Sequence, residues 1–326
     1  VLAGGPGSRL WPWSRQKRPK PVLEVVGGVS LIAATVARLP MPPQRVLVVT
    51  GPAMLDAVRR ALPDVPADNV VVEPSGRNTA PAVALGVAAA ARRGAEVVGV
   101  FPSDHHIDDV AGFRAVLAEG LARAAAGGIG LVGIAPDGPD TRYGYLRVAD
   151  GRVLAFVEKP DRPRAEALLA GGDVLWNGGM FLGRPDVFAR AFATHLPATS
   201  AAVEAVLDGD VAAWSGADRI SFDHGVLEHH EDVFAVRGDF GWSDLGTWEA
   251  VAPWLPETGA GRGLVAASAG EGAHLVVAPG RRVLLVGLPD AVVVDDGEVL
   301  MVAARDSLDE AVAAAKALAA RDEDWG

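Results

Sequence analysis

Short β-branched runs alternate with helix-length segments over the first two-thirds of the chain, and no other feature restricts the fold as much. The runs Arg45–Thr50, Val70–Glu73, Glu96–Phe101, Ile129–Ile134, Val153–Lys159 and Trp176–Leu182 have strand length and strand composition. Helix signals stand between them. Ser30 is placed to cap a helix through Leu39. Asn78 or Thr79, with Pro81 near the first turn, opens another running to Arg93, and Pro163 and Pro185 mark two further starts. The alternation predicts a largely parallel sheet covered by helices, with ligands at the carboxyl ends of strands.

Past Trp254 the texture changes to Pro, Gly and four short apolar runs, His274–Val277, Val283–Val286, Ala291–Val294 and Val299–Val302. A last helix from Ser307 to Ala320 carries Leu308, Val312, Ala315 and Leu318 on one face. We therefore expect a main domain over residues 1–258 and an all-β appendage with a terminal helix over residues 259–326, joined near Pro256–Arg262. With 326 residues, half of them hydrophobic, the chain has ample material for both. The longest uncharged stretch, around Asn78–Ala91, is Ala-rich and shorter than the roughly 20 residues a membrane span requires, so no membrane association is expected. A net charge of −11 with no basic stripe argues against nucleic acid as a partner. The absence of cysteine removes disulfides, zinc–thiolate sites and cysteine nucleophiles. It suits a reducing compartment, and with no secretory signal opening the sequence the expected location is cytoplasmic.

The segment Leu2-Ala3-Gly4-Gly5-Pro6-Gly7-Ser8-Arg9-Leu10 combines a strand end, three glycines and an arginine. Glycines let backbone N–H groups surround phosphate oxygens, and Arg9 would add a charge-assisted fork. A glycine-rich turn after a strand is the plainer alternative. The spacing matches neither a P-loop nor a dinucleotide fingerprint. Arg15-Gln16-Lys17-Arg18-Pro19-Lys20-Pro21 then reverses the local sign of an acidic chain, as a loop facing a polyphosphate would, or as a solvated basic turn would. Lys20, between two prolines, is a candidate for a fixed charge. Asp104 follows a strand at its carboxyl edge, and Asp244 sits in the Gly-flanked turn Phe240-Gly241-Trp242-Ser243-Asp244-Leu245-Gly246. Two carboxylates plus substrate phosphates suffice for Mg²⁺. The alternatives are a turn residue for Asp104 and a helix N-cap before Thr247 for Asp244. The pairs His105-His106 and His229-His230 lack metal-ligand spacing and read as surface or supporting groups. No Gly-x-Ser-x-Gly elbow is present.

Together these residues acquire a family likeness. Leu2 to Pro12 with Pro19-Lys20 resembles the signature of sugar-1-phosphate nucleotidylyltransferases, and the added Trp11-Pro12 and Ser14-Arg15 resemble the mannose-1-phosphate guanylyltransferase branch. Further blocks follow in the family's order: Glu73 to Pro81, Pro102 to His105, Phe156 to Pro160, Trp176 to Phe181, and Phe240 to Gly246. The resemblance spans some 250 residues. It implies a Rossmann-like nucleotide-diphospho-sugar transferase fold: a mixed, mostly parallel sheet with helices on both faces, followed by a small left-handed β-helix-like domain.

It further implies transfer of GMP from GTP to mannose-1-phosphate, giving GDP-mannose and pyrophosphate, with Mg²⁺ as cofactor; a homodimer is expected separately, because a short β appendage exposes apolar surface that seeks a partner. Carried onto this sequence, Leu2, Ala3, Gly4, Gly5, Gly7, Ser8, Glu73, Asn78, Thr79 and Pro81 border the nucleotide, with Asn78 and Thr79 beside the guanine. Arg9 and Lys20 neutralise the phosphates, and Asp104 and Asp244 hold the metal. Gly144, Glu158 and Asn177 contact the sugar, and Lys159 reaches its phosphate. The chain departs from the pattern at Pro21, where Gln is common, at Gly178, where Ser is usual, and over Phe222–Glu228. Another sugar-1-phosphate such as a heptose phosphate, or a non-catalytic sugar-nucleotide sensor on the same scaffold, are the alternatives. The joint presence of Arg9, Lys20, Asp104 and Asp244 counts against the sensor.

Overall fold

Three strands, β1 (Leu2–Ala3), β2 (Val48–Thr50) and β3 (Val70–Val72), pair in parallel with Leu2 opposite Val49 and Val48 opposite Val70. On its other side β1 continues into the Pro102 segment: the Leu2 N–H donates to the Phe101 carbonyl at 2.8 Å, and the Ser103 N–H donates to the Leu2 carbonyl at 3.1 Å. The segment follows β4 (Val98–Val100) and leads to the short β5 (His106–Ile107). In the computed structural model the described residues are all except 6, 256–263, 270–273, 279–280, 289, 323–324 and 326, with side chains also left aside at 264–269.

Strands β6 (Ile129–Ile134), β7 (Tyr145–Ala149), β8 (Arg152–Val157), β9 (Val174–Gly183) and β10 (Val233–Gly238) complete a six-stranded sheet in the order β4-β9-β6-β10-β8-β7. All six residues of β6 are buried, as a continuous apolar run covered on both faces should be. Gly133 is glycine because the Leu175 side chain already occupies the place of a Cβ, 2.6 Å away. The helix Thr79–Ala91 packs Ala80, Val83, Ala84, Leu85 and Val87 inward, and its small residues allow close approach to the sheet.

The sheet is mixed. Parallel pairing holds through β1, β2 and β3 and between β6 and β10, whereas β9 runs antiparallel to β4, β6 and β7. Simple strand–helix alternation does not foresee this, because β7 and β8 form a hairpin that consumes one reversal of direction. Its turn is Asp150-Gly151, both at positive φ (50° and 72°), the conformation that suits a two-residue hairpin. The helices Val110–Ala126 and Pro197–Leu207 were also outside the expected alternation. Both are rich in alanine, which fits an inner or an outer face and blurs the 3.6-residue period.

By contact density the chain divides into two units. One comprises Val1–Gly4, Thr35–Leu55 and Leu62–Trp242, and contains the strands above; the other comprises Gly5–Ala34, Asp56–Ala61 and Ser243–Gly326. The join expected near Pro256–Arg262 falls largely outside the described residues. In the second unit, Leu264–Ala269 runs parallel to Arg282–Val286, and Leu275–Val277 runs parallel to Ala291–Asp295. Pairing of each strand with the next but one is the stacking of β-helix coils. Ala291–Asp295 also pairs antiparallel with Leu300–Ala304, and the helix Leu308–Ala319 follows. Leu308 packs on the core and Ala315 is buried, but Leu318, expected on the same inner face, is exposed. This unit's core joins Leu10, Trp13, Leu23, Val25 and Leu31 to Leu245, Trp248, Val251, Val277, Val292, Val294 and Met301.

Candidate active site

In the second unit the glycine turn, the lysine and one aspartate meet. Gly7 adopts φ 72° at the head of the short turn Ser8–Leu10, and a Cβ there would lie 2.3 Å from the Lys20 Cβ. Conformation and space both demand glycine. Lys20 follows Pro19 into the turn Lys20–Val22, is 5% exposed, and donates from Nζ to the backbone carbonyl of Asp244 at 2.6 Å. The prolines flanking Lys20 thus hold the backbone, and a contact 224 residues away holds the ammonium. Asp244 Oδ1 accepts from the Gly246 N–H at 3.0 Å. It does not cap a helix: Thr247 caps Trp248–Val251, accepting from the Ala250 N–H. Gly5 and Arg9 are exposed and Ser8 is half-buried. Pro6 lies outside the described residues.

Arg15 departs from the expected role of its basic segment. Its Nη2 is 2.5 Å from Asp296 Oδ2 and 2.7 Å from Glu298 Oε2, with the guanidinium and Asp296 both buried. Its charge is met by carboxylates in the turn between Ala291–Asp295 and Leu300–Ala304 rather than offered to a polyphosphate.

In the first unit, Gly4 lies over a buried carboxyl group. A Cβ on Gly4 would stand 3.1 Å from Glu73 Oε1, and Glu73 Oε2 has no hydrogen-bond partner among the described residues. Burial pushes the Glu73 carboxyl up to about 7. Below it, Thr50 Oγ1 donates to the Ala3 carbonyl at 2.8 Å. Asn78 and Thr79 are exposed, but their oxygens serve the fold: Asn78, at φ 71°, accepts from the Thr79 N–H, and Thr79 Oγ1 accepts from the Phe222 N–H at 2.9 Å. Pro81 is buried in the first turn of that helix.

Asp104 is half-buried in the loop after β4, next to the guanidinium of Arg38. Burial lowers Arg38 to about 10, and the charge of Asp104 opposes that shift, so the guanidinium remains a cation near neutrality. Neighbouring His105 accepts on Nδ1 from Trp242 Nε1 at 3.1 Å, which marks it as a supporting residue. The other expected supporting histidines, His229 and His230, lie by His195, with His230 Nδ1 3.4 Å from His195 Nε2.

The four positions expected at the sugar come together just before β7, just after β8 and within β9. A Cβ on Gly144 would lie 2.7 Å from Glu158 Oε2, and the Gly144 carbonyl accepts from the Asn177 N–H at 2.8 Å. Lys159 Nζ pairs with Glu158 Oε1 at 2.8 Å. The Asn177 side chain donates from Nδ2 to Asp223 Oδ1 at 2.7 Å and accepts on Oδ1 from the Gly179 N–H at 3.1 Å, which fixes its orientation. Asp223 is the residue that sequence reasoning missed. Burial and the nearby charge of Glu158 push its carboxyl up to about 6. Its sequence signal was its place in Phe222–Glu228, where the chain departs from the family pattern, and it opens a single π-helical turn, Asp223–Leu227. Tyr143 stands against both Trp176 and Trp242, with ring centres 5.0 and 5.1 Å apart.

Among the described residues no group of three or more His, Asp or Glu is arranged to hold a metal ion. The acidic groups present are hard oxygen donors, which suit a divalent cation that completes its shell with water and substrate phosphate. Asp104 belongs to the first unit and Asp244 to the second.

The α/β unit, with the glycine turn and buried lysine in the same chain, suits a transferase that handles nucleotides. Residues 1–255 match the family model described as nucleotidyl transferase, and the chain belongs to that family of enzymes. The xanthan biosynthesis protein XanB of Xanthomonas campestris pv. campestris (strain B100) is 34% identical to it over 333 residues, covering 95% of this chain and 70% of that protein. The mannose-1-phosphate guanylyltransferase of Escherichia coli (strain K12) is 33% identical over 339 residues, covering 95% and 71%. A solved structure described as a mannose-1-phosphate geranyltransferase from Thermus thermophilus superposes with a TM-score of 0.81 at 36% identity, covering 98% of both chains.

Proposed function

We propose that this nucleotidyltransferase moves GMP from GTP to α-D-mannose-1-phosphate, giving GDP-mannose and pyrophosphate, by in-line attack without a covalent intermediate. The observation that carries the reading is the convergence of Gly7, Lys20 and Asp244 in one unit: a glycine turn packed on a buried lysine whose ammonium is held by the Asp244 backbone carbonyl. The names of the relatives agree with it.

The reaction brings one phosphate anion against another, so its main demands are positioning and charge neutralisation. Lys20 and Arg9 supply cationic charge to the nucleotide phosphates, and Lys159 supplies it to the sugar phosphate. Asp104 and Asp244 are the carboxylates assigned to Mg²⁺, which when bound offsets further negative charge. A sugar phosphate is largely ionised at neutral pH and needs no general base. Glu158, Asn177 and Asp223 offer acceptors and a donor to sugar hydroxyls. Glu73 suits guanine: its carboxylate can accept from two adjacent N–H groups on the base edge, where adenine presents an acceptor instead.

Exposed apolar residues on the C-terminal strands, Leu284 and Val286 on one sheet and Leu300 and Val302 on another, support a homodimer through that region, and a cytoplasmic location completes the proposal. Light scattering that finds a strict monomer at working concentration overturns the dimer. The deciding experiment is pyrophosphate release with Mg²⁺ and GTP, comparing mannose-1-phosphate, glucose-1-phosphate and a heptose phosphate, with ATP in parallel. Rapid release with GTP and mannose-1-phosphate alone is expected. Equal release with glucose-1-phosphate, or none with any pair, refutes the reading.

A further inference from the structure

Two side chains one turn apart on the helix Leu31–Arg38 are buried and polar, with no role described so far beyond the charge that Arg38 sets beside Asp104. Thr35 is 1% exposed and Arg38 is 7% exposed. Arg38 Nη2 donates to Thr35 Oγ1 and, at 2.8 Å, to the carbonyl of His105. Thr35 Oγ1 in turn donates to the carbonyl of Ser103 at 3.3 Å. The two carbonyls are those on either side of Asp104.

The same loop is held along its other edge by β1, through the Leu2 N–H to the Phe101 carbonyl and the Ser103 N–H to the Leu2 carbonyl. The helix end is fixed as well: Arg114 donates from Nε to the Arg38 carbonyl at 2.8 Å and from Nη2 to the Ala37 carbonyl at 3.1 Å. Asp104 is therefore a single residue between two backbone groups tied to a braced helix. A buried guanidinium is costly unless its acceptors are well placed, and here those acceptors belong to the Asp104 loop. Simple packing would be served as well by an aliphatic side chain.

We propose that Thr35 and Arg38 are positioning residues that set the direction of the Asp104 carboxylate, and through it the affinity of the enzyme for its divalent cation. The proposal rests on the assignment of Asp104 to the metal. It assigns Arg38 more than the role of a counter-ion, since a counter-ion needs only charge whereas the clamp needs two donors in fixed directions.

The test uses the full-length enzyme with Mn²⁺ as probe, titrated with and without GTP and followed by the EPR signal of the free ion, alongside steady-state kinetics. Thr35→Val keeps the shape and removes the hydroxyl; Arg38→Lys keeps the charge and loses the fork. Thermal melting identifies variants that fold. Each is expected to weaken Mn²⁺ binding about tenfold and to lower kcat similarly, with the KM for the sugar phosphate changed less than about twofold. Thr35→Ser, which restores the hydroxyl, should recover both. A folded Thr35→Val with unchanged Mn²⁺ affinity overturns the clamp, and an Arg38→Lys indistinguishable from the parent reduces Arg38 to a counter-ion and overturns it equally. Asp104→Asn separates the two levels. If it retains Mn²⁺ affinity, the metal assignment of Asp104 fails and the proposal with it. If it loses affinity while the Thr35 and Arg38 variants keep theirs, the clamp alone fails.

Discussion

The Gly144–Glu158–Asn177 cluster of the first unit and the glycine–lysine turn of the second hold their polar groups by different means. In the first, Gly144, Glu158 and Asn177 sit on or next to neighbouring strands β7, β8 and β9, so the ladder that forms the sheet also brings them together. In the second unit no ladder joins Lys20 to Asp244 or Arg15 to Asp296. Those pairs are joined by side chains, 224 and 281 residues apart in sequence. A site built on adjacent strands inherits its geometry from backbone pairing, whereas one built on loops depends on a few buried contacts, each of which can be removed singly.

The comparison is most sharply broken at Lys20. Replacing it with Ala removes a pre-placed cation, and kcat should fall on the order of 10²–10³-fold with little change in the KM for the sugar phosphate. A rise in that KM alone would place Lys20 on the sugar phosphate instead. Next in size is Arg15→Ala, which leaves the Asp296 carboxylate buried without its cation and should destabilise the protein by about 3–5 kcal/mol in urea unfolding. If loops depend on long-range contacts as described, its residual activity should also drop. A loss below about 1 kcal/mol would show the pair to be incidental.

Glu73→Gln has the smallest and most specific effect. The Gln amide can donate to an acceptor on the base, so preference for GTP over ATP should shrink, by about tenfold, with the fold intact. Because the native carboxyl is raised to about 7 from an ordinary value near 4.5, the native state binds the extra proton between those values, and stability contributed by Glu73 falls as pH rises through that window. Gln should flatten that slope. Melting temperatures from pH 4 to 8 for both proteins would show it, and parallel curves would contradict the burial of a titrating carboxyl.

Much of the first unit was legible before the structure. Ile129–Ile134 appears as read, and the helix start at Asn78–Thr79 falls where small polar residues precede apolar ones, as does the start at Ser30 in the second unit. The hairpin at Asp150-Gly151 carried a turn signal that strand–helix alternation obscured. Asp223 lay in the divergent segment Phe222–Glu228, but a single acid there does not reveal whether it faces solvent or a neighbouring amide.

The sequence by itself determined those elements with clear caps, turns and apolar runs, since such signals act over a few positions, and it marked Gly7, Lys20, Asp104 and Asp244 by motif. Tertiary structure alone decided that Arg15 serves Asp296 rather than phosphate, that Thr247 rather than Asp244 caps the helix, and that Gly5–Ala34 belongs to one unit with Ser243–Gly326. The reason is range. Local propensity is written in neighbouring residues, whereas the partner of a buried charge depends on which distant surface reaches it, and no window along the chain contains both.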